Sequence, residues 1–288
     1  MLTQQQLEQY HRDGFLKGDV VLSDEAVEQL RNELDLVLEG KTVKKPVLQR
    51  DLSNPEKNSD PYNSKQTNET DGMGMSMEKN DQVVQVVNIW MASDAFLQHA
   101  GTTKICEEIA QLTQSDTLRI WHDQVQYKPP ITGGPTRWHQ DHPAWPIIQP
   151  ADLVSAWVAL DDATIDNGCM WMVPGSHLWG DQQRFIGHGD DHLPFHRHPD
   201  LLPEGVDLTA VPFEIKKGQV GYHHCLTWHG AYPNRSERKR RAIAVHYMPG
   251  NVRYEPTGSH PMEPHITVQP GELLSGDAFP IIFQQARQ

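Results

Sequence analysis

The stretch LRIWHDQVQYKPPITGGPTRWHQDHPAW, residues 118–145, decides the fold. Its first ten residues are rich in Ile, Val, Trp and Tyr, which suit a pleated surface, and Lys128-Pro-Pro with Gly133 and Gly134 then breaks the run into a turn. Runs of the same kind recur at 83–90, 153–160, 211–215, 219–226 and 242–248, bounded by Pro, Gly or Asn. Many short strands separated by such turns predict a mainly β sandwich or barrel with helices packed outside it.

The helices are expected ahead of that region. Thr3 with Gln6 has the form of a capping box, and Ser23 followed by Asp24 and Glu25 suits the start of a second helix. Val27, Leu30, Leu34 and Leu38 share one face of it, and Gly40 is placed to end it. Residues 95–112 read as a further helix. Residues 41–82 are dominated by Lys, Asn, Asp, Ser and Glu and read as an irregular insertion, either a lid or a solvated loop.

With 288 residues, 37% of them hydrophobic, the chain is expected to form a single domain over 1–288. A net charge of -13 opposes phosphate-rich partners, so neither nucleic acid nor an anionic membrane is expected, and a small-molecule substrate is. No stretch approaches the roughly 20 apolar residues of a membrane span, and the polar start does not resemble a signal peptide. The three cysteines form no CxxC pair, which argues against a disulfide framework or a cysteine zinc site. A cytoplasmic location fits these features.

Histidine is abundant, with 16 residues, and two segments concentrate the chemistry. His139 and Asp141 stand two apart, so in an extended chain their side chains leave on the same side and can reach one ion. A third ligand is available in GYHHCLTWHGAYPNRS (221–236) as His223, His224 or His229. Two histidines and one carboxylate on one face of an octahedron are the arrangement of non-haem Fe(II) oxygenases, with open positions left for a 2-oxo acid and O2. The HExxH spacing of a zinc hydrolase is absent. Arg235, Arg238, Lys239, Arg240 and Arg241 follow the last histidine, either as a solvated basic turn or as the source of a guanidinium for a carboxylate.

WHQDH (138–142), AWVALDDATIDNGCMWMVPGSH (156–177) and WHGAYPNRSERKRRAIAVHY (228–247) occur in an order that resembles the phytanoyl-CoA dioxygenase family of Fe(II)/2-oxoglutarate oxygenases. The resemblance implies a double-stranded β-helix, a cupin-like jelly roll whose open end holds the metal. It implies His139, Asp141 and His229 as iron ligands and Arg240, eleven residues beyond His229, as the residue that grips 2-oxoglutarate. Trp157, Gln124 and Ser236 correspond to further co-substrate positions. The implied cofactors are Fe(II), 2-oxoglutarate and O2, and the implied reaction is hydroxylation of a C–H bond with release of succinate and CO2.

Asp141 argues against halogenation, for which the family replaces the carboxylate ligand with a small residue. Desaturation, cyclisation or oxidative bond cleavage on the same scaffold is the first alternative, and a non-catalytic or zinc-dependent cupin-like protein the second. His122, His142 and Trp145 are expected to face the substrate, with Gln126 and Met172 as further candidates. His177 is expected to be structural, beside turns at Asn167-Gly168 and Pro174-Gly175. His188, His192, His196 and His198, with Asp190 and Asp191, read as an exposed polar loop rather than a second metal site.

Overall fold

The computed structural model describes residues 1–51, 83–182, 205–207 and 209–285. In chain order the main elements are α1 Gln4–Asp13, β1 Phe15–Val20, α2 Asp24–Leu38, β2 Leu48–Asp51, β3 Val84–Val87, α3 Asp94–Ala100, α4 Thr103–Thr113 and β4 Thr117–Lys128. They continue as β5 Thr136–His139, β6 Ile148–Gln149, β7 Val154–Ala159, β8 Met170–Met172, β9 Val211–Phe213, β10 Gln219–His224, β11 His229–Ala231, β12 Arg240–Pro249, β13 Arg253–Tyr254 and β14 Ile281–Gln284.

Both N-terminal helices begin as their sequences require. Thr3 and Gln6 close a reciprocal capping box on α1. The Ser23 hydroxyl accepts the Ala26 amide of α2, whose Val27, Leu30, Leu34 and Val37 are buried. The helical reading of 95–112 needs correction: Gly101 ends α3 and Thr102 starts α4, because a glycine favours a helix end over its interior. The strand expected over 83–90 stops at Val87, where Asn88 adopts left-handed φ (54°) and turns the chain into a short helical turn. The insertion expected over 41–82 is not irregular throughout, since β2 lies within it and pairs with β3 just beyond it, and residues 52–82 lie outside the described residues. The His188–His198 cluster lies outside them as well.

The strands form a large antiparallel sheet of order β1-β10-β7-β12-β4-β3-β2, with β14 on β4, and a small one of order β5-β11-β8-β9. This is the mainly β architecture expected from the strand pattern, and the jelly roll that the family resemblance implies. Ile243, Val245, Val158, Ala156, Val220 and Tyr222 leave the large sheet on its outer face and pack with α1, α2 and α4. Each fully buried apolar side chain of this kind contributes roughly 1.5–3 kcal/mol relative to exposure. Between the sheets lie Phe15, Trp157, Ala159, Met170, Met172, Phe213, Ala242 and Ala244. Every residue of β7 is buried because the strand is covered on both faces, which explains its continuous apolar run.

Two details place the site. β12 begins at Arg240, two residues earlier than the apolar run indicates, and Arg240 pairs with Lys128 at the end of β4. Gly221 on β10 faces the space between the sheets, where the Phe213 ring occupies the position a Cβ would take. Among the described residues, no helix is long and apolar enough to cross a membrane.

Candidate metal centre

His229 and His139 are directly opposed partners on β11 and β5, so the small sheet itself brings two imidazoles together. Their rings lie 4.2 Å apart, centroid to centroid. Asp141 arrives by a different route from the extended chain that its spacing indicates. β5 ends at His139, and Asp141 has helical torsions (φ -71°, ψ -49°) with its amide donating to the Cys225 carbonyl at 2.9 Å. One Asp141 oxygen, Oδ1, is 3.6 Å from His139 Nε2 and 3.7 Å from His229 Nε2. One atom from each of the three residues falls within 4.8 Å of the others, and no other such group occurs among the described residues.

Both histidines are turned for ligation. His139 Nδ1 donates to the Arg137 carbonyl at 2.7 Å and His229 Nδ1 to the Thr227 carbonyl at 2.9 Å, which leaves each Nε2 lone pair facing the centre. Burial, reinforced by His139, holds the His229 imidazole well below its usual range, in the neutral form a metal requires. Burial pushes the Asp141 carboxyl up, yet the imidazoles around it, His229 first, outweigh burial and hold it well below the usual carboxylate range. Its other oxygen, Oδ2, accepts from His223 Nε2 at 3.1 Å and from the Ser155 hydroxyl at 3.2 Å. His223 is therefore a neighbour of the triad rather than a member of it. His224, one residue on, turns away and accepts the Leu226 amide on Nδ1.

A cavity adjoins the triad, lined by Gln124, Gln126, Thr136, Trp157, Met170 and Ala244. Arg240 leaves β12 on the same face as Ala244 and lies over the Trp157 ring, 5.6 Å from its centroid. It is 0% exposed, and none of its three guanidinium nitrogens has a hydrogen-bond partner. Trp157 Nε1 and Thr136 Oγ1 are likewise buried without partners. Burial draws the guanidinium down to about 10, so it stays charged at neutral pH. An unpaired buried cation is costly, and a carboxylate is its natural complement. The donor set thus fits both groups that the sequence implies: three N/O ligands for a metal with open positions, and a guanidinium, indole and hydroxyl for a carboxylate.

The remaining expected site residues separate. Gln124 and Trp157 line the cavity, as does Gln126. Ser236 does not, because its hydroxyl donates to Asn234 Oδ1 at 2.8 Å and is spent in the turn after β11. His122, His142 and Trp145 form a ring-packed layer behind the cavity instead of lining it. His142 Nε2 donates to the Ile148 carbonyl, and His122 lies 4.5 Å from His246 and 5.4 Å from Trp145, ring to ring. Met172 is fully buried between the sheets, and Met170 takes the cavity position. His177 stays outside the centre, bonded to the His11 carbonyl, and Gly168 and Gly175 adopt the positive φ expected of their turns. The residues that sequence reading missed are Ser155, Thr136 and His246. A lone hydroxyl inside the apolar run of β7, and a histidine six residues beyond Arg240 on the same face of β12, were the available signals.

The family model for phytanoyl-CoA dioxygenase (PhyH) matches residues 10–242. A phytanoyl-CoA dioxygenase of Arabidopsis thaliana is 34% identical over 120 residues, 42% of this chain and 41% of that protein. The peroxisomal phytanoyl-CoA dioxygenase of Bos taurus is 23% identical over 262 residues, 88% of this chain and 71% of that protein. The match therefore spans under half the length of the first of these relatives and most of the second. Among solved structures, the non-haem α-ketoglutarate-dependent carbocyclase SnoK from nogalamycin biosynthesis superposes with a TM-score of 0.72 at 24% identity, over 97% of this chain and 96% of that one.

Proposed function

The chain belongs to the phytanoyl-CoA dioxygenase family of iron- and 2-oxoglutarate-dependent oxygenases, and from that premise we propose that it hydroxylates a C–H bond of a small molecule. In this reading His139, Asp141 and His229 hold Fe(II), and Arg240 takes the distal carboxylate of 2-oxoglutarate. The observation that carries it is the partnerless Arg240 guanidinium, buried on the inner face of the strand that also lines the cavity beside the triad. Iron bound there supplies O2 activation coupled to decarboxylation of 2-oxoglutarate to succinate and CO2.

The chain's own residues bind, orient and exclude water. Trp157 and Ala244 wall the co-substrate side, with the indole face under the guanidinium keeping that cation desolvated and its pull on a carboxylate strong. Thr136 Oγ1 and Trp157 Nε1 are free to donate to the same ligand. The presence of Asp141 favours hydroxylation over halogenation. A CoA thioester carries several phosphates, which a net charge of -13 disfavours, so a smaller polar metabolite is the proposed substrate class.

Succinate formation from 2-oxoglutarate, measured with added Fe(II) and with and without metabolite pools, tests the reading. Turnover that requires both Fe(II) and 2-oxoglutarate is the expected result. No succinate in any condition, together with tight binding of zinc, would replace it with a zinc-dependent or non-catalytic cupin-like protein.

A further inference from the structure

A single row of hydrogen bonds crosses the inner face of the large sheet and ends on the metal-centre carboxylate. Arg50 Nε on β2 donates to Gln85 Oε1 on β3 at 2.7 Å, and Gln85 Nε2 donates to Gln124 Oε1 on β4. Gln124 Nε2 meets His246 Nε2 on β12 at 3.2 Å, and His246 Nδ1 meets Ser155 Oγ on β7 at 2.6 Å. The Ser155 hydroxyl then reaches Asp141 Oδ2 at 3.2 Å.

The direction of every bond follows from the two ends. A guanidinium can only donate, so Gln85 must present its oxygen to Arg50 and its amide nitrogen to Gln124. Gln124 then accepts with its oxygen and donates with its nitrogen, which leaves His246 Nε2 as an acceptor and puts the ring proton on Nδ1. An ionised carboxylate can only accept, so Ser155 donates to Asp141 and must accept from His246 Nδ1–H, the same answer reached from the other end. All donors therefore point from the Arg50 cation toward the Asp141 anion, and each bond polarises the next.

We infer that Ser155 and His246 are positioning residues for the Asp141 carboxylate, the terminal members of a one-directional chain that occupies Oδ2 and leaves only Oδ1 for the metal. His223 supplies the second bond to Oδ2. The consequence is a carboxylate restrained to one-oxygen ligation, which keeps a coordination position open for the other reactants. The inference rests on the reading of Asp141 as a metal ligand.

Titration of the metal-free full-length protein with Co(II), followed through its d–d absorption, tests it without turnover. Ser155→Ala and His246→Leu are expected to weaken Co(II) binding by roughly 10- to 100-fold and to alter the band pattern as Oδ2 becomes able to coordinate. His246→Asn, whose amide nitrogen stands near the imidazole Nδ1, is expected to recover most of the loss. Wild-type protein that fails to bind Co(II) would remove the metal-centre reading itself, whereas wild-type affinity and spectrum in Ser155→Ala and His246→Leu would overturn only the positioning role. Imidazole 1H–15N correlation on the unmutated protein adds an arm that does not depend on a variant folding. His246 protonated on Nδ1 supports the chain, and a proton on Nε2 overturns it.

Discussion

Arg240 and Arg241 are neighbours in sequence and leave β12 on opposite faces into opposite circumstances. Arg241 is held by Asp161, with Nε to Oδ2 at 2.8 Å and a second nitrogen to Oδ1 at 2.9 Å, while Arg240 is buried beside the cavity with no partner. One is a structural ion pair, and the other is a charge kept at a cost to stability.

That contrast separates the two residues experimentally. Arg240→Ala should raise the 2-oxoglutarate concentration needed for half-maximal succinate formation by about 10- to 100-fold, the loss of a charge-assisted pair worth about 1.5–3 kcal/mol. Arg240→Leu should hold or raise the melting temperature of the ligand-free protein, because it removes an uncompensated buried charge. Arg241→Ala should lower the melting temperature and leave the 2-oxoglutarate requirement unchanged. The reverse pattern would move the co-substrate arginine by one position.

Asp141→Ala removes the oxygen shared by His139 and His229 and leaves His223 and Ser155 without an acceptor. Metal-dependent thermal stabilisation should appear in the wild type and be absent in this variant at equal metal concentration. A retained shift of wild-type size would show that the ion binds elsewhere.

Acid should destabilise the fold through buried neutral histidines. Burial lowers His99 to about 4, and neither ring nitrogen has a partner. Between that value and the ordinary imidazole pKa near 6.5 the unfolded chain binds a proton that the native state refuses. Stability is therefore present above about 6.5 and is lost as pH falls toward 4. From pH 7 to pH 5 the loss from this one residue is about 2 kcal/mol. His99→Leu should flatten the pH dependence of urea unfolding by about that amount, and an unchanged slope would show that the ring takes up its proton equally in the native and unfolded states.

Gly221→Ala introduces a methyl group where the Phe213 ring already sits. The expected loss is about 1–3 kcal/mol, read as a lower melting temperature. Because Gly221 pairs with Trp157 across β10 and β7, weaker 2-oxoglutarate binding should accompany it. A variant as stable as wild type would mean that the ring moves freely.

Much of this was legible in the linear chain. The mainly β architecture follows from short Val-, Ile- and Trp-rich runs between Pro and Gly turns, and the caps at Thr3 and Ser23 form as their side chains demand. Local rules suffice there because both partners lie within a few residues. The helix break at Gly101 and the strand at Leu48–Asp51 were less legible. The first turns on one glycine in an otherwise helical run, and the second depends on a partner strand whose paired residues lie 33 to 39 positions away.

The pairing of His139 with Asp141, the choice of His229 and the distance to Arg240 were all stated by sequence, through spacing and family resemblance. Tertiary structure alone decided which of two adjacent arginines is unpaired, that Ser236 is consumed by a turn, and that Ser155 and His246 stand behind the Asp141 carboxylate. Those outcomes depend on which face of a strand meets which neighbour across the sheet. Spacing within one segment carries no record of that relation, because cross-strand contact joins residues that sequence keeps far apart.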